Sequence, residues 1–85
     1  MHWFLYIVQS ETNGMHYVGI SPNVEHRLEL HNYFGHGFTA RHRLWKIVYT
    51  IEYPNRQLAQ EIEKKIKARK NKEYIKRIID HSIDP

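Results

Sequence analysis

The sequence predicts an α+β domain, a small three-stranded antiparallel sheet flanked by helices in the order β-β-α-β-α-α. Three observations carry this. Two aromatic and β-branched runs, Trp3–Ser10 and Met15–Ile20, flank Asn13-Gly14, a pair suited to the positive φ angles of a tight hairpin turn. A third such run, Leu44–Tyr53, follows a glycine-containing stretch. The remaining segments carry apolar residues at helical spacing.

Within the first run, Phe4, Tyr6 and Val8 share one side of the pleat, and Leu5 and Ile7 take the other. After the hairpin, Ser21-Pro22-Asn23 starts a helix, with Ser21 as its N-cap and Pro22 in its first turn. That helix runs to about Asn32. Tyr33 to His42, with Gly35 and Gly37, reads as a loop. Pro54-Asn55 closes the third strand, and a second helix spans Arg56 to Arg69. A third runs from about Lys72 to His81, with Tyr74, Ile75, Ile78 and Ile79 as its apolar stripe.

Composition narrows the function classes. The 85 residues make one domain, residues 1–85, that buries only about 60–65% of its unfolded surface. Polar groups on core-facing positions therefore call for a reason. The absence of cysteine excludes a disulfide framework and a thiolate zinc site, and it fits a reducing, cytoplasmic setting. No apolar run approaches the roughly 20 residues of a membrane-spanning helix. Met1 to Ser10 lacks the basic lead and cleavage site of a signal peptide and reads as a strand.

The net charge is +4, and it is concentrated. Between Lys64 and Arg77, eight basic residues stand against one acid, Glu73. Such a block can track a phosphate backbone, or it can be a solvated lysine-rich helix face.

Two helices place charged or polar residues among apolar ones. Val24, Arg27, Leu28 and His31 fall at i, i+3, i+4 and i+7, the spacing of one face. Ala59, Ile62, Glu63 and Ile66 repeat the pattern. Burying such a group without a partner costs roughly 1–3 kcal/mol even when it is neutral. A carboxylate on an inward face calls for a cation, borne by the protein or a metal. Tyr17 stands two residues before Gly19, and a strand glycine often marks close approach of a backbone or ligand. Tyr6, Tyr17, Arg27, His31 and Glu63 thus form a candidate cluster. A buried Arg–Glu pair with two hydrogen-bonded tyrosines is the structural alternative.

These residues resemble a known family. Leu5-Tyr6-Ile7 and Tyr17-Val18-Gly19, separated by a short hairpin, look like the two elements that name the GIY-YIG nucleases. Glu25 to Asn32 (EHRLELHN) resembles the family's Arg-Leu-x-x-His-Asn helix. Phe38-Thr39-Ala40 with Trp45 to Tyr49 resembles its loop and third strand. Ala59-x-x-x-Glu63 followed by Lys67 resembles its metal-binding helix. Phe4 and Leu5 replace the glycine and isoleucine of the first element. Several relatives carry an asparagine beyond the metal-binding helix; Asn71 is the only candidate for it, at a short spacing, and stays unassigned. The resemblance spans positions 3 to about 79. It is nearest to short stand-alone bacterial-type members, related to the nuclease domains of homing endonucleases and of the nucleotide-excision incision enzyme, which makes DNA repair an implied setting.

The resemblance implies hydrolysis of nucleic-acid phosphodiesters, with DNA the expected substrate and a monomer assumed. Glu63 would hold Mg²⁺ or Mn²⁺, and Arg27 would contact a nonbridging oxygen. Tyr6 is favoured as the base, supported by His31, with Tyr17 positioning the water. Lys46, Lys67, Arg69, Lys70 and Lys72 would bind backbone phosphates outside the site. Trp45, Phe38 or His42 would stack on a base or, alternatively, anchor core and loop. His2, His16, His26, His36 and His81 read as surface residues. The competing readings are a nucleic-acid-binding module without activity and a small protein-interaction domain docking an acidic partner.

Overall fold

Strands β1 (Trp3–Ser10), β2 (His16–Ser21) and β3 (Trp45–Tyr53) pair antiparallel in the order β2-β1-β3. The computed structural model describes residues 2–34, 37 and 41–85. Between and after the strands lie α1 (Val24–Tyr33), α2 (Arg56–Arg69) and α3 (Lys72–Ile79). The α+β class and the element order are as the sequence predicts.

The central place of β1 explains why it is the most apolar strand. Its two faces seed two cores. Leu5 and Ile7 pack with Val18 of β2, Ile66 of α2 and Ile78 of α3. Tyr6 and Val8 pack with Trp45, against Tyr17, Val24 and Leu28. Each fully buried aliphatic side chain contributes roughly 1.5–3 kcal/mol. β2 is an edge strand, so side chains from α1 on one face and α2 on the other can meet around it.

Several local details differ from the sequence reading. The N-cap of α1 is Asn23, whose side chain accepts from the His26 N–H at 3.0 Å. Ser21 ends β2, and its hydroxyl donates to the Asn23 carbonyl at 2.9 Å. Both residues are good caps, but Ser21 is held in the ladder opposite Phe4, which leaves the cap to Asn23. The hairpin is not a two-residue turn. Ladder pairing ends at Gln9 opposite His16, Gly14 alone takes a positive φ of 77°, and the Ser10 hydroxyl accepts from the Thr12 N–H at 3.2 Å. α3 stops at Ile79, because the chain turns to a positive φ at His81.

α2 and α3 are joined by Lys70 and Asn71 alone. Lys70 adopts the left-handed conformation at φ 48°, which costs a non-glycine residue roughly 1 kcal/mol. Asn71 caps α3 by accepting from the N–H groups of Glu73 and Tyr74 at 2.9 and 3.3 Å. Capping is thus what the asparagine left unassigned by the family pattern does here. Among the described residues, no helix is long and apolar enough to cross a membrane.

Candidate active site

Tyr6 pairs in register with Gly19 across the β1–β2 ladder. The phenol ring crosses directly over that glycine. A Cβ placed on Gly19 would lie 2.6 Å from Tyr6 Cζ and closer still to its hydroxyl. Gly19 is therefore required for space and not for a positive φ. Its missing side chain lets the phenol reach the β2 edge, where its hydroxyl meets His31 Nε2 at 2.8 Å. His31 sits in the last turn of α1 and is 5% exposed. The Tyr17 ring stands edge-on to the His31 ring, centroids 5.0 Å apart.

A cleft of about 360 Å³ opens in front of this group. Tyr6, Tyr17, Arg27 and Glu63 line it, with Trp3 and Arg56 at its rim. The Arg56 guanidinium lies 5.3 Å from the Trp3 ring centroid. Four of the five predicted residues thus face one space, and the fifth, His31, backs Tyr6. Arg27 differs from expectation in depth. It is exposed, and its long side chain reaches Tyr6 as a hydrogen-bond partner. Glu63 is partly buried and takes a hydrogen bond from Lys67 Nζ at 3.3 Å. The same ammonium stands 5.3 Å from the Tyr17 ring centroid.

Burial sets the protonation of the central pair. It pushes the Tyr6 phenol up to about 12, against the hydrogen bond from Arg27, with Tyr17 and Glu63 adding in the same direction as burial. It pushes the His31 imidazole down to about 4, with the Arg27 charge contributing. At neutral pH both groups are uncharged.

The basic residues divide. Lys67, Lys70 and Lys72 line a second groove of about 330 Å³ beside Tyr17. Arg69 lies outside it, its guanidinium 4.5 Å from the Tyr74 ring centroid. Lys46 is exposed on β3, separated from β2 by the central strand, and does not line the cleft. Trp45 is 3% exposed and serves the core. His42 meets the Asn13 side chain at 2.6 Å and ties the chain before β3 to the hairpin. Phe38 and the Phe38-Thr39-Ala40 element lie outside the described residues.

Two residues, Trp3 and Arg56, escape the sequence reading, and a third, Asn32, is matched there to the helix motif without a role. Asn32 receives the Trp45 N–H at 2.6 Å and donates to the Trp45 carbonyl at 3.1 Å, clamping α1 to the start of β3. The helix motif marks the position, but nothing local shows that its partner is Trp45. Trp3 and Arg56 meet only in three dimensions, and nothing local marks them.

The GIY-YIG catalytic domain family model matches residues 2–77. The chain belongs to this family. GIY-YIG domains are endonuclease domains that bind nucleic acid and generally use divalent metal ions. The fold is also similar to a UPF0213 protein from Bacillus halodurans, solved in solution by NMR. The TM-score is 0.61 at 19% identity, covering all of this chain and 89% of that one. At that identity the likeness speaks for the fold alone. No curated protein matches the chain.

The GIY-YIG cleft suits the metal its family uses. Glu63 is the one carboxylate among its described lining residues, and no group of three or more His, Asp or Glu gathers anywhere among the described residues. Mg²⁺ and Mn²⁺ are hard ions that accept one carboxylate, retain several waters and share remaining positions with substrate phosphate. A single partly buried carboxylate at an open cleft fits that manner of binding.

Proposed function

We propose that this GIY-YIG domain is a metal-dependent endonuclease that hydrolyses nucleic-acid phosphodiester bonds, with DNA as its substrate. The observation that carries the reading is the convergence of Tyr6, Tyr17, Arg27 and Glu63 on one cleft, with His31 hydrogen-bonded behind Tyr6. A buried structural Arg–Glu pair would instead close the space between its members.

Glu63 would hold Mg²⁺ or Mn²⁺, which supplies positive charge to the scissile phosphate and the leaving oxygen. Arg27 binds a nonbridging oxygen and offsets the charge that builds there. Tyr17 orients the attacking water. The water's proton passes to the Tyr6 oxygen while the Tyr6 proton passes to His31 Nε2. This relay needs no standing phenolate, which a phenol at about 12 would not supply at neutral pH. His31, being neutral, can take the proton. Arg27 helps to hold the imidazole down in the free protein. A phosphate seated on Arg27 cancels that influence, so His31 becomes more basic when substrate is in place. Lys67, Lys70 and Lys72 extend positive charge away from the cleft.

The test is a panel of labelled single strands, duplexes, branched DNA and structured RNA, each with Mg²⁺, Mn²⁺ or EDTA. Metal-dependent cutting by the parent is expected. Glu63→Ala should abolish it, and Arg27→Ala should lower it by about 10²–10³-fold. Salt-sensitive binding without cutting on any substrate would replace the nuclease with a binding module.

A further inference from the structure

We propose that one unpaired strand of the substrate leaves the cleft past Tyr17 and runs between β2 and the α2–α3 corner toward the hairpin. The idea rests on the nuclease reading and assigns its substrate class: nucleic acid with a single-stranded arm at the cut site.

Continuity is the first observation. Tyr17 lines both the cleft and the second groove. His16, Lys72 and Ile75 line that groove and also a third hollow of about 350 Å³, which reaches the hairpin at Gln9, Asn13 and Gly14. The three spaces therefore follow one another along β2.

Charge is the second. Lys67 and Lys70 stand over the near groove, Lys72 over both and Lys76 over the far one. No Asp or Glu lies among the described lining residues of either. Lys70, Lys72 and Lys76 make no ion pair among the described residues. Of the block's basic residues outside the grooves, Arg69 covers Tyr74 and Arg77 stands 3.8 Å from Glu73, while Lys64 and Lys65 line neither groove. His16 sits within this field, and burial, then the Lys76 and Lys72 charges, hold its imidazole below the ordinary value.

The floor is the third. Half-buried Ile75, with the edges of the nearly buried Val18 and Ile66, lines the near groove under its lysine rim. A single strand exposes base and sugar faces on one side and phosphates on the other, so it profits from an apolar floor beside cations. A duplex hides its base faces and leaves such a floor unused.

The experiment measures binding in EDTA, so that it is independent of cutting. Fluorescence anisotropy compares a blunt duplex with the same duplex bearing an oligothymidylate arm of about four or eight nucleotides, at either end polarity. The arm should tighten binding at least about tenfold for one polarity, and the same length of added duplex should not. Lys72→Gln with Lys76→Gln should remove the gain, and Lys72→Arg with Lys76→Arg should restore it. Lys64→Gln with Lys65→Gln, outside the grooves, should keep it. NMR titration of His16 supplies a separate readout, because phosphates beside Lys72 and Lys76 should raise its pKa when oligothymidylate is added. Equal gain from a duplex arm, or an unmoved His16, would overturn the strand path. Arm-dependent binding without metal-dependent cutting would uphold the path and defeat the nuclease reading. Cutting without any arm effect would do the reverse.

Discussion

A phenol held at about 12 and an imidazole held near 4 face each other across 2.8 Å, and each makes stability depend on pH. His31 binds its proton less readily in the folded chain than in the unfolded one. Between its ordinary value near 6.5 and its folded value near 4, the unfolded state therefore takes up more protons. Stability is intact above that window and falls as pH drops through it, by on the order of 3 kcal/mol. Tyr6 gives the alkaline counterpart. The unfolded phenol ionises near 10 while the folded one resists to about 12, so stability falls as pH rises through that range. Urea midpoints taken from about pH 7 down to 4 on the parent and His31→Gln test the acid limb. The difference between the two proteins should change steadily through the window. Parallel curves would mean that His31 is not held neutral by its surroundings.

At the scale of elements, the site depends on how α1 is fastened. The helix is ten residues long and begins at Asn23. Its other end is held by Asn32, which completes both backbone groups of Trp45 at the start of β3. Replacing Asn32 with alanine leaves a buried N–H and carbonyl without those partners, a cost of roughly 1–3 kcal/mol. Asn32→Ala should lower the denaturation midpoint accordingly. It should also depress cleavage beyond the loss of folded protein, because His31 is the adjacent residue. A stability loss with unchanged activity per folded molecule would show that the clamp does not position His31. These long-range ties explain what was legible in the sequence and what was not. Helical spacing placed Arg27 and His31 on one face and Glu63 with Ile66 on another, and both groupings hold. Spacing says which residues share a face but not how deep that face lies. Arg27 therefore came out exposed at the sheet edge while His31 is buried. His16 read as a surface histidine, because the lysines that surround it arrive from α3, far along the chain. The bond from Tyr6 to His31 spans 25 residues and that from Asn13 to His42 spans 29, distances no local pattern encodes.

Across the whole molecule, the decisive quantity is where charge is usable rather than how much there is. The sequence carries a net +4, and eight bases crowd the stretch from Lys64 to Arg77. Folding sorts them. Lys67, Lys70, Lys72 and Lys76 line the path along β2, and Arg27 and Arg56 line the cleft. Lys67 is paired with Glu63, which leaves five cations along the route for phosphates. Each phosphate neutralised on a single strand changes the logarithm of affinity by about −0.7 per unit logarithm of salt. The expected slope for an armed substrate is therefore about −3 to −4. Removing Arg69 or Lys64 should leave that slope unchanged, since neither lines the route, whereas Lys72→Gln should make it shallower by about 0.7. Affinities measured from roughly 50 to 200 mM salt decide the matter. A slope near −6 would mean that the entire basic block meets the nucleic acid, and that the helical surface rather than the grooves is the interface.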